Sequence, residues 1–157
     1  LLISHMNPKF LHNLSLSLIF FLGLSVIALG FGWLISSEPW LLDQSANEKL
    51  LDNSFPEMFS DPINQNLHLY LTMLYQFLGW WMISIGMLVI SYIIVTRMGT
   101  EISRGFIHFV LFILLTGTTI IEYIYISSSP FLVLTILLWF LWLISLWAGI
   151  QLKKYDG

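Results

Sequence analysis

Residues 131–152 read FLVLTILLWFLWLISLWAGIQL, an unbroken apolar run without one charged side chain. A helix needs about 20 mainly apolar residues to cross a hydrocarbon core of about 30 Å. Three further stretches meet the same condition, at about 10–36, 67–95 and 102–126. In lipid, a segment of this kind must satisfy its backbone hydrogen bonds internally, so each is expected to be a helix and not a strand. The expected fold class is all-α: one integral membrane domain over 1–157, built as a four-helix bundle with spans at about 10–36, 67–95, 102–126 and 131–152.

Composition supports this. The chain has 157 residues, of which 57% are hydrophobic and only 10% charged, with a mean hydropathy of +0.84. A soluble domain carries roughly a quarter charged residues, so this chain lacks the polar groups to cover a water-facing surface. Cysteine is absent, which excludes disulfides, thiolate metal sites and thiol redox chemistry. The net charge is −3 and there is no basic run, so no nucleic-acid partner is expected. His5-Met6 has the look of a cloning scar before a start at Met6. Residues 1–5 would then be vector-derived and outside fold reasoning.

Charge placement predicts the topology. The segment 37–66 holds Glu38, Asp43, Glu48, Asp52, Glu57 and Asp61 against one base, Lys49. Lys9 precedes the first span, Arg97 and Arg104 flank the connection between the second and third, and Lys153 and Lys154 follow the fourth. By the positive-inside rule both termini are cytoplasmic and the acidic 37–66 loop lies outside. Within that loop Ser37-Glu38-Pro39-Trp40 reads as a helix start, with Trp40 at headgroup level, and 46–51 as a short helix. Asp61-Pro62 is a second start signal, from which the second long helix is expected to run inward. The connection at 127–130 is long enough only to turn.

Gly23 and Gly30 in the first span, and Gly79 and Gly86 in the second, are each seven apart and so share a helix face. Small residues let helix backbones approach closely in lipid, and these four are expected to pack the first two spans together.

Ionisable groups inside a span are functional candidates by default. Glu122 and His108 lie on the third span on one face, together with Leu111, Leu115 and Thr118. On the second span Thr72, Gln76, Gly79, Trp80 and Ile83 form a stripe, with His68 flanking it. The expected site is a polar pocket open to the outside, with ligand-binding residues His68, Thr72, Gln76, Trp80, Thr118 and Glu122. Plainer alternatives stand beside it: Glu122 snorkelling to water, His108 as an interfacial residue, and Gln76 as interhelical glue worth on the order of 1 kcal/mol. The fourth span is nearly featureless and is expected to face lipid or to meet a membrane-protein partner or a second copy of the chain. The four histidines fall on separate segments, so no metal site is expected, and no cofactor is indicated.

Residues 28–34 (ALGFGWL) running into Pro39, Phe77-Leu78-Gly79 with Gly86, Arg97 closing the second span, and the short turn at 127–130 resemble the DoxX-like group of small four-helix membrane proteins, including its uncharacterised members. That resemblance implies a four-helix bundle in the bacterial inner membrane. Some members are linked to redox partners or membrane complexes, and this chain lacks the cysteines that the thiol-linked ones use. The expected function is non-enzymatic: an accessory subunit of a membrane complex, or a binder of a small apolar or cationic ligand in the outer pocket. An ion or proton conduit is the alternative, and a lipid-modifying enzyme acting through Glu122 and His68 comes last.

Overall fold

The computed structural model describes residues 6–155, and all regular structure among them is helical. The reading of residues 1–5 as vector-derived falls outside that range. Four helices are long and apolar enough to cross a membrane: α1 (Pro8–Ile35), and, after two short helices α2 (Gln44–Leu51) and α3 (Phe55–Ser60), α4 (Leu67–Thr96), α5 (Glu101–Tyr125) and α6 (Pro130–Leu152). Their starts follow local chemistry. Asn7 accepts a hydrogen bond from the Lys9 amide at 2.9 Å ahead of Pro8, and Ser129 accepts one from the Phe131 amide at 3.1 Å ahead of Pro130. In each case a short polar side chain satisfies an orphan N–H and proline supplies a preset φ. Thr100 and Ser103 form a reciprocal capping box at the head of α5. α4 ends at Arg97 and Met98, both with positive φ, and that reversal makes the turn at 97–100.

The 37–66 segment is a folded cap. Pro39–Asp43 forms a 3-10 turn leading into α2, and Glu48 ties α2 to α3 by accepting bonds from Gln44 Nε2 and the Phe55 amide. Trp40 is 4% exposed and packs in the cap against Phe55 and Phe59. Asp61 caps as expected, bonding the Ile63 amide at 3.0 Å, yet it opens only the 3-10 turn Pro62–Asn64, and α4 begins at Leu67. Asn47 Nδ2 donates to the Tyr75 hydroxyl at 2.8 Å and fastens the cap to α4.

α1 is the central helix, packed along α4 on one side and α6 on the other. The α1–α4 contact is made by the four glycines in antiparallel pairs. A Cβ on Gly30 would stand 2.5 Å from the Gly79 carbonyl oxygen, and one on Gly86 would stand 2.6 Å from that of Gly23. No other residue fits there, and the close approach substitutes for the hydrophobic force that lipid removes between helices. α6 also packs against α5. It buries Thr135, Leu138, Trp142, Ser145, Ala148 and Leu152, spaced three and four apart, so the helix that looked featureless has one committed face. Uniform hydrophobicity hides that stripe in the sequence.

α4 and α5 are joined by the turn at 97–100, where Tyr92 stacks on Phe106 and its hydroxyl donates to the Ser103 carbonyl at 2.9 Å. Farther from that turn, Val89 and Ile93 of α4 share one buried cluster with Ile107, Leu111 and Leu115 of α5. Toward the joined end the space between the helices is filled by Ile19, Ile93, Met98, Ile107 and Leu111. Toward the cap it is not.

Candidate functional site

Between the four long helices, toward the cap, lies a cavity of about 150 Å³. α1 contributes Leu22, Val26, Leu29 and Trp33; α4 contributes Met82, Ile85 and Val89; α5 contributes Leu111, Leu114, Leu115, Thr118 and Glu122; and α6 contributes Phe131, Leu134, Thr135 and Leu138. The lining is apolar except at the cap end. There Glu122 is 9% exposed, and its Oε1 accepts from the Thr135 hydroxyl at 3.0 Å. Its Oε2 is buried and has no hydrogen-bond partner among the described residues, and the same holds for Trp33 Nε1. Trp33 is held in place by Phe131, with ring centroids 4.7 Å apart.

Buried polar atoms in folded proteins are nearly always partnered, so two orphans on the wall of one chamber call for a physical explanation. An unpartnered buried oxygen or N–H costs about 1–3 kcal/mol.

A third orphan sits just above the chamber. Asp43, in the cap, is 5% exposed with Oδ1 unpartnered. Burial pushes its carboxyl above the ordinary carboxylate range, and a hydrogen bond from the Ser129 hydroxyl opposes the shift. Because Ser129 caps α6, Asp43 also lies beside a helix N-terminus, where negative charge is favoured.

The structure brings together only part of the pocket expected from the sequence. Glu122 and Thr118 line the cavity; His68, Thr72, Gln76 and Trp80 do not. The separation has a definite reason. Gly79 and Ile83, on the α4 stripe that carries those residues, face α1, so the stripe never meets α5. His68 is exposed and lies edge-on to Phe59 at 6.1 Å; the Thr72 hydroxyl bonds the His68 carbonyl; Gln76 is half-buried; and Trp80 is 55% exposed. Glu122 takes its partner from α6, where Thr135 is the lone polar residue in an apolar run, a signal legible in the sequence and given no role there. Trp33 left no comparable trace, because an indole reads as apolar until its N–H is found buried.

His108 lies inside the bundle. It is 3% exposed, with Nδ1 2.7 Å from the Arg104 carbonyl and Nε2 3.1 Å from Ser145 Oγ. Ser145 Oγ donates to the Ser15 carbonyl, Ser15 Oγ donates to the Ser145 carbonyl, and Trp142 Nε1 donates to the His108 carbonyl. This network joins α1, α5 and α6, and its side chains are partnered. A satisfied polar network rigidifies and specifies packing, and that is the role its geometry gives it. The contrast with Glu122 and Trp33 singles out the cap-end cavity as the candidate site. Among the described residues no three His, Asp or Glu side chains converge as a metal site would require.

Comparison with known proteins adds nothing to this: no family model, no curated protein and no solved structure matches the chain.

Proposed function

We propose that the chain is a non-enzymatic multi-pass membrane protein that binds a small, mainly apolar ligand in the cavity between its spans, with Glu122 as the polar anchor. The observation that carries this reading is buried Glu122, with one carboxyl oxygen unpartnered, among the residues that line a mainly apolar chamber. The position of Lys9, Arg97, Lys153 and Lys154 at the end opposite the cap supports cytoplasmic termini, with the cap and the site on the far side. The resemblance to the DoxX-like group supports the bacterial inner membrane as the setting.

Thermal unfolding before and after exhaustive delipidation tests the reading. A ligand that binds only the folded state stabilises it by mass action, so the wild type loses stability on delipidation and regains it when the extracted material is returned. Glu122→Gln shows a smaller loss and a smaller recovery. Equal behaviour of wild type and Glu122→Gln contradicts the reading.

A further inference from the structure

We propose that ligand enters and leaves the cavity through a groove between α1 and α6, with the Trp33 and Phe131 rings as the gate between groove and cavity. This rests on the ligand-binding reading above and specifies its route.

The route follows from two hollows that share a wall. At the cap end a second, mainly apolar hollow lies between α1 and α6, lined by Ser25, Ala28 and Gly32 of α1, Leu42 of the cap and Pro130 of α6. Ala28, Leu42 and Pro130 are exposed, so this hollow is a groove open to the surroundings. Leu29, Trp33, Phe131 and Leu134 line the groove and also line the cavity. The same four side chains therefore face both spaces, and the wall between them is a single layer of side chains. The opposite wall is thicker. Val89, Leu111, Leu115 and Leu138 line the cavity and belong to the buried core cluster, so packed side chains stand behind them.

The gate follows from what holds the shared wall. Trp33 and Phe131 close it by ring contact, with centroids 4.7 Å apart. Ring contacts are attractive but involve no conventional hydrogen bond that must break for the rings to part. Trp33 Nε1 has no hydrogen-bond partner among the described residues, so turning the indole breaks no bond either. The closed position leaves that donor buried and unsatisfied, and a swing into the groove recovers part of the cost. Two positions of similar energy are what a gate requires. The groove also has room for the swing. Gly32 lines it beside Trp33, and a Cβ on Gly32 meets nothing within 4 Å. Gly32 is not among the residues that line the cavity, so a side chain placed there fills the approach without touching the bound guest.

The test uses fluorobenzene, because a cavity of about 150 Å³ is the size that admits benzene in an engineered apolar core. Binding and exchange are followed by fluorine NMR on delipidated protein in phosphatidylcholine nanodiscs, with protein-free nanodiscs subtracted. Gly32→Leu is expected to slow entry and exit together at least about tenfold, with the dissociation constant unchanged. Phe131→Ala is expected to speed exit by at least a similar factor. Gly117→Leu is the control: Gly117 is exposed on α5, and its Cβ position also meets nothing within 4 Å. It should exchange as the wild type does. Wild-type rates in Gly32→Leu or in Phe131→Ala overturn the gate, and so does slowing by Gly117→Leu in place of Gly32→Leu. In those cases saturable binding persists and the ligand-binding reading stands. A wild type that binds no fluorobenzene overturns the gate as well, since the cavity then admits no guest of its own size. The delipidation experiment decides separately whether a native ligand is bound.

Discussion

Gly30→Ala should destabilise the protein, although alanine is the better helix former. The added Cβ would stand 2.5 Å from the Gly79 carbonyl oxygen, 2.8 Å from Ile83 Cγ1 and 2.9 Å from the Ile83 amide nitrogen. Two of those three atoms are backbone, so relief requires α1 and α4 to move apart. Separation there also loosens the reciprocal contact, where the Gly79 Cβ position lies 2.6 Å from the Gly30 carbonyl oxygen. Overpacking of this kind costs about 1–3 kcal/mol. Gly32, two residues on, has nothing within 4 Å of its Cβ position, so Gly32→Ala should gain up to about 1 kcal/mol from helix propensity alone. The two variants differ by one methyl group each on the same helix; the propensity gain is common to both and cancels, so their stabilities should lie roughly 1–3 kcal/mol apart. Reversible unfolding in mixed micelles, followed by helicity, measures that difference. Equal stabilities, or a more stable Gly30→Ala, would refute the claim that the glycine pairs fix the α1–α4 distance.

Three other outcomes follow from the polar groups. Ser145→Ala removes the partner of His108 Nε2 and the hydroxyl bond to the Ser15 carbonyl, while Ser15 Oγ keeps the backbone carbonyl of residue 145; it should cost about 1–3 kcal/mol, and a loss below that range in the same unfolding assay would reduce the network to ornament. Thr135→Val leaves Glu122 without its hydrogen-bond donor and should cost a similar amount, with Thr135→Ser restoring most of it; equal stability of the Val and Ser variants would show that this bond is not needed. Asp43 holds its proton more tightly in the folded chain because it is buried. Its contribution to stability is therefore fully present below the ordinary carboxyl pKa of about 4 and is lost as pH rises through the raised folded value. Asp43→Asn should flatten the fall of the unfolding midpoint between about pH 4 and neutrality, and an unchanged slope would remove Asp43 as its source.

The long helices were legible because hydropathy over twenty residues is a strong signal. The glycine pairs were legible too, since a seven-residue spacing on both helices has few uses other than close packing. The site was legible only where one residue sufficed. Glu122 declared itself by its charge, but its neighbours depended on which face α4 turns toward α5, and a helix that is apolar all round gives no such direction. Once Gly79 and Gly86 docked α4 on α1, Gln76 and Trp80 were carried away from Glu122, and Thr135 and Trp33 took their places. The hydrophobic stripe of α6 was hidden for the same reason: its buried and lipid-facing residues are equally apolar.

The central claim is that the cavity beside Glu122 holds a ligand, and native mass spectrometry of the protein in the mildest detergent that keeps it soluble tests it most directly. The account predicts extra mass of one small molecule retained by the wild type and lost in Glu122→Gln. Bare 18.2 kDa protomers, or a second polypeptide at fixed stoichiometry with no small molecule retained, would contradict it.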